Sequence, residues 1–142
     1  MKKSGEQRGN ISMRGLDEFY AAVGADADDV VRRLGVGEKL VVRFVLRYRD
    51  DGTFNKLVAA LDDDDTEEAF RAAHTLKGST GTLGFERLYR EASTVTEMLR
   101  RGELKAAKAA VPVLEAEYRE VIAALNRLDK AVSEETVTAM AQ

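Results

Sequence analysis

The chain has 142 residues, no cysteine, one histidine and one proline, and its 22 basic and 25 acidic residues leave a net charge of −3. That length suits one domain able to bury its own core. The absent cysteines exclude disulfides and thiolate zinc sites, the lone histidine excludes most histidine-rich metal sites, and the slightly acidic balance argues against nucleic-acid binding, which ordinarily needs a basic excess.

Abundant Ala, Leu, Val, Glu, Arg and Lys favour helices throughout. The opening MKKSGEQRGNIS is charged and lacks an apolar centre, so it does not read as a signal peptide. No apolar run approaches the ~18 residues that span a membrane. These features predict a cytoplasmic protein without a membrane segment. Residues 1–14 are expected to form a flexible lead, 15–130 the folded domain and 131–142 a loosely held tail, because neither end offers an apolar stripe to dock.

Leu16, Phe19, Tyr20 and Val23 share one face of a short opening helix. Val30 and Leu34 predict a second, ended by Gly35 and Gly37. From Glu38, EKLVVRFVLRYRDD sets Val41, Phe44, Val45 and Tyr48 on one stripe, which stops at the turn pair Asp51-Gly52. Phe54, Leu57, Val58 and Leu61 either form a separate helix or continue this one after a break. Asp62 to Asp65 lack the glycine and spaced ligands of a calcium loop. They read as a solvated turn, with Asp65 as N-cap and Glu68 completing a capping box.

Three longer stripes follow. Ala69, Ala73, Leu76, Thr80 and Leu83 recur at helical spacing, as do Phe85, Leu88, Ala92, Val95 and Leu99, and then Val111, Leu114, Tyr118, Val121, Leu125 and Leu128. Arg101-Gly102 closes the second of these. Pro112 either kinks the last helix or marks its true start. Phe44, Tyr48, Phe54 and Phe85 read as core aromatics. The fold expected is all-α, an antiparallel four-helix bundle with short additional helices at its N-terminal end.

The stretch AHTLKGSTGTLGF holds the single histidine, His74. Helical residues advance about 100° each, so His74 lies roughly 160° from Leu76 and faces solvent. Phe70, Glu67, Gly78 and Gly81 fall within about 40° of it, and Arg71 and Lys77 within about 60°. Each glycine costs roughly 1 kcal/mol against alanine inside a helix. Access is the physical reason to keep them, since another backbone or a bulky group on the imidazole comes close only where side chains are missing. Two plainer readings compete: an exposed lone histidine is ordinarily only a surface residue, and Gly78 is suited to a helix C-cap. Against the cap, Thr80 and Leu83 continue the stripe. Phe70 reads as a partly exposed apolar contact for a partner, though partial burial against a neighbouring helix would look the same in sequence.

Free histidine, with a pKa of about 6.5, is largely neutral and nucleophilic near pH 7. Metal ligation lacks partners here. Hydrolytic catalysis needs a nucleophile, base and orienter in one cleft, and Thr75 and Ser79 project about 100° and 140° away. Phosphoryl transfer asks mainly for positioning and electrostatic stabilisation. Lys77 is a compact ammonium suited to phosphoryl oxygens, and Arg71 adds to that charge or steers an acidic partner.

HTLKGSTGTLGF closely resembles the signature of histidine-containing phosphotransfer (HPt) domains: a histidine, lysine three later, glycine four later and a further glycine at seven. The resemblance runs from about Leu16 to Leu128 and takes in VGADADDVVRRLG, FNKLVAALDDDDTEEAFRAAHTLKG and ASTVTEMLRRGE. It implies a four-helix bundle whose histidine Nε2 accepts a phosphoryl group from a receiver-domain aspartate and passes it on. His74 is then the phospho-acceptor, Lys77 the stabilising cation and Gly78 the position cleared for the partner, a role shared by Gly81; Phe70 and Arg71 join them in docking. The partners implied are response-regulator receiver domains or a hybrid sensor histidine kinase. Magnesium belongs to the receiver, so no cofactor of the chain's own is expected. A phosphocarrier is expected rather than a kinase, because no ATP-binding element is visible, which also counts against the phosphorylatable domain of a chemotaxis-type kinase. The rival is a helical module that docks receivers without phosphotransfer. An unpaired histidine face predicts a monomer.

Overall fold

The computed structural model describes residues 11–141, with side chains from Arg14 to Met140. All regular structure among them is helical, in seven α-helices and one 3₁₀ turn. Helix α1 is Ile11–Val23, α2 Ala27–Leu34 and α3 Glu38–Arg47, followed by the 3₁₀ turn Tyr48–Asp50. Then come α4 Thr53–Asp62, α5 Thr66–Leu83, α6 Glu86–Arg100 and α7 Leu104–Ala141. The chain after Tyr48 thus breaks before α4, which is a helix of its own.

Helix α5 packs chiefly on α4 and α6, and α7 chiefly on α1 and α6. The predicted stripes supply the core: Leu16, Tyr20, Val41, Val45, Leu57, Leu76, Leu88, Leu114 and Leu125 are all buried. Truncating such a leucine to alanine costs about 2–5 kcal/mol by transfer and cavity terms. An aromatic chain ties the N-terminal helices to the rest. Phe85 meets Phe19 at 5.6 Å and Tyr48 at 5.1 Å, both edge-on, and Phe54 stacks on Tyr118 at 4.2 Å. Phe44 departs from the expected core set, being only partly buried at the rim of a groove.

Between α4 and α5, Asp64 takes a left-handed conformation (φ 56°) and pairs with Lys108 of α7. Asp65 caps α5, its Oδ1 accepting from the Glu68 backbone N–H at 3.1 Å. The other half of the expected capping box does not form. The Asp65 N–H already donates to the Ala60 carbonyl, and the Glu68 carboxylate accepts from Arg71 instead. Pro112 lies inside α7, which starts at Leu104, so it does not mark that helix's beginning. It is exposed, and solvent can serve the Lys108 carbonyl that lacks an N–H partner. Helix α7 continues beyond Lys130, with Val132 against the core and Val137 and Met140 exposed. Of the expected 1–14 lead, residues 1–10 lie outside the described residues, and 11–14 already belong to α1.

Candidate functional site

Helix α5 is oriented by its buried edge. Ala69, Ala72, Ala73, Leu76 and Thr80 turn inward, and the Thr80 hydroxyl is satisfied by donating to the Leu76 carbonyl at 2.8 Å. His74 is consequently exposed. The helix runs through Gly78 and ends at Gly84 (φ 80°), where Phe85 N–H reaches the Thr80 carbonyl and Gly84 N–H that of Gly81. This is a Schellman cap. From outside, Tyr20 Oη donates to the Leu83 carbonyl at 2.8 Å and Arg33 reaches the Gly81 and Thr82 carbonyls. Burial, opposed by the Arg33 charge, pushes the Tyr20 phenol well above its ordinary pKa, so it stays a donor.

Around His74 the side chains sort into a supported side and an open side. Helical side chains lean toward the N-terminus, so the imidazole lies back over Phe70, one turn earlier. The two rings stack at 5.9 Å with planes 18° apart. A side chain at position 78 would lean back over His74 in the same way, and there the helix has glycine. A Cβ on Gly78 would meet nothing within 4 Å. Neither imidazole nitrogen has a hydrogen-bond partner among the described residues, so the ring is held by stacking and both nitrogens stay available.

The remaining predicted site residues differ in placement. Lys77 is partly buried and has no carboxylate partner among the described residues. Arg71, by contrast, is engaged along its own helix, with Glu68 at 2.8 Å and Glu67 at 3.9 Å. Gly81, unlike Gly78, lies beside another helix. A Cβ there would sit 3.1 Å from the Tyr89 ring of α6, so its missing side chain serves helix packing. Phe70 is half-buried, its ring packed partly against the core and partly exposed.

Two features were beyond the reach of periodicity. The Arg100 guanidinium of α6 lies 5.1 Å from the centre of the Phe70 ring. Gly78 borders an open groove of about 530 Å³, whose opposite wall is Phe44, Arg47, Tyr48 and Asp51. Both depend on which helices become neighbours. The nearest sequence signal was the exposed side of α3, where Lys39, Arg43 and Arg47 recur every fourth residue.

Among the described residues no helix is long and apolar enough to cross a membrane. No curated protein and no solved structure matches the chain significantly. The Hpt domain family model matches residues 50–136, more than half of the chain. The match opens at the 3₁₀ turn and leaves α1 to α3 outside, although the resemblance was expected to begin at about Leu16. With α5 and its histidine inside that span, the chain belongs to the Hpt domain family, whose members act as phosphocarriers in phosphorelays rather than as kinases.

Proposed function

We propose that His74 is the phospho-acceptor of this domain and exchanges phosphoryl groups with receiver-domain aspartates. The observation that carries the reading is the juxtaposition on α5 of an exposed imidazole, an ammonium without a carboxylate partner among the described residues, and an uncovered turn: His74, Lys77 and Gly78. The Nε2 lone pair attacks phosphorus in line, and the bond between phosphorus and the aspartyl oxygen breaks with its electron pair left on the carboxylate. The Nδ1 proton passes to water. Donation to the next receiver is the reverse. Lys77 stabilises the charge on the transferring oxygens, and magnesium is supplied by the receiver.

The surface beside the site supports a receiver as partner. On α3, Lys39, Leu40, Arg43, Phe44 and Arg47 occupy an arc of about 140°, opposite the buried Val41, Val42 and Val45. The three cations have no acidic partner among the described residues. Elsewhere arginines are commonly paired, as Arg32, Arg90 and Arg119 are within their own helices. An incoming protein that reaches His74 over Gly78 meets the far wall of the groove, where Arg47 stands. A receiver presents the carboxylates that hold its magnesium, which complements this charge. We place α4 to α7 as the antiparallel four-helix bundle, a reading supported by their short connections and successive packing.

The test is incubation with a panel of phosphorylated receivers. Acid-labile phosphate is expected on His74, accumulating more slowly as salt rises because exposed charges are screened. Receiver binding without labelling would replace this reading with a docking module. A second expectation concerns Lys77→Ala, which should slow transfer about tenfold, less than the roughly 10²–10³ of an enclosed electrostatic donor because Lys77 is only partly buried. Circular dichroism should show the helices intact; melting would mean that the lysine is structural.

A further inference from the structure

The imidazole must be aimed as well as exposed. Histidines that do chemistry are commonly oriented by a hydrogen bond from one ring nitrogen to a carboxylate or carbonyl, and His74 has no such partner among the described residues. What it does have is Phe70, stacked at 5.9 Å and nearly parallel. Phe70 is an apolar ring on the solvent side of α5, a placement for which the core stripe offers no reason. Its inner part rests against the core, and the Arg100 guanidinium lies 5.1 Å from its centroid. Arg100 is itself tethered, its Nε donating to Glu97 at 3.2 Å. Three side chains from two helices thus form a series: cation, phenyl ring, imidazole.

We propose that Phe70 and Arg100 are positioning residues for His74: the phenyl ring sets the plane of the imidazole, and the guanidinium holds the phenyl ring. This role rests on His74 being the phospho-acceptor. The stack supports the imidazole from the N-terminal side while Gly78 leaves the other side free, so the ring is restrained without being covered. In-line attack tolerates little angular error, and near-attack geometry is a large share of such catalysis. A restrained ring is in that geometry more of the time than one free to change rotamer. Arg100 acts through the phenyl ring, because a cation over an aromatic face is attracted to its quadrupole.

Three variants test this with one receiver: Phe70→Leu, Arg100→Gln and the double variant, with Phe70→Tyr as the conservative control. Transfer within the saturated complex should fall about tenfold in Phe70→Leu and about threefold in Arg100→Gln, modest fractions of what positioning can supply. The double variant should lose no more than Phe70→Leu alone, since residues acting through one another are not additive. Receiver affinity should stay within about twofold, and Phe70→Tyr should keep the wild-type rate because its aromatic face remains. In the unphosphorylated protein, the His74 ring protons should carry an upfield ring-current shift that Phe70→Leu removes. Weakened receiver affinity with an unchanged rate in the complex would make Phe70 a docking residue and overturn the proposal. So would additive losses, which would give Arg100 a role of its own, or a missing ring-current shift. A wild-type protein that never labels at position 74 overturns the phosphocarrier reading and this role with it. Labelling that is indifferent to Phe70→Leu overturns this role alone.

Discussion

His74→Gln should reduce phosphate incorporation from a phosphorylated receiver to background, while leaving the fold unchanged. Glutamine keeps the polarity and approximate reach of the imidazole, but its amide nitrogen shares its lone pair with the carbonyl and is not a nucleophile. The chain has no second histidine to take over. Stability should change by less than about 1 kcal/mol, because the position is exposed and only the ring stack is lost. Radiolabel transfer followed on gels, with thermal melts of both proteins, decides the matter. Incorporation into the glutamine variant at the wild-type rate would move the acceptor away from α5 altogether.

Two alanine substitutions, one within α5 and one at its C-terminal cap, should move stability in opposite directions. Gly84 has φ 80°, a conformation that costs an alanine about 1–2 kcal/mol. A Cβ there would also lie 2.6 Å from Val30 Cγ2 and 3.2 Å from Tyr20 Cε1. Adding overpacking of about 1–3 kcal/mol, Gly84→Ala should destabilise by about 3 kcal/mol and lower the melting temperature by roughly 10 °C. Gly78 is helical and open, so Gly78→Ala should add up to about 1 kcal/mol of stability. It should nevertheless slow phosphotransfer, since the new methyl group leans toward His74. Differential scanning calorimetry alongside transfer kinetics checks both. A Gly78→Ala protein that is more stable and equally fast would mean that partners do not need that space, and an unaffected Gly84→Ala melt would mean that the cap yields.

The contrast between these glycines also marks what was legible in the sequence. Helix identity and the inward face were readable almost throughout, because burial imposes the 3.6-residue period: Leu16, Phe19, Tyr20 and Val23 on α1, or Ala69, Ala73, Leu76 and Thr80 on α5, had to turn the same way. The same rotation set His74 on the solvent side, where the structure has it. Rotation alone could not separate Gly78 from Gly81. They share a direction on α5, but only Gly81 lies under Tyr89, and that depends on where α6 docks. Glu68 was likewise readable as a capping residue until Arg71 competed for its carboxylate and Ala60 took the Asp65 N–H. Arg100 beside Phe70 joins residues from two helices, a relation that no local spacing encodes.

The separation between α5 and α3 has an evolutionary consequence. The groups suited to the chemistry stand on one helix, whereas Lys39, Arg43 and Arg47 project from another that is anchored through Val41, Val42 and Val45 on its opposite side. Substitutions at these three exposed positions touch neither the core nor the imidazole. On the function proposed above, a copy arising by gene duplication can therefore drift toward a new receiver by surface changes on α3, keeping the α5 centre intact at each intermediate step and insulating one signalling line from another.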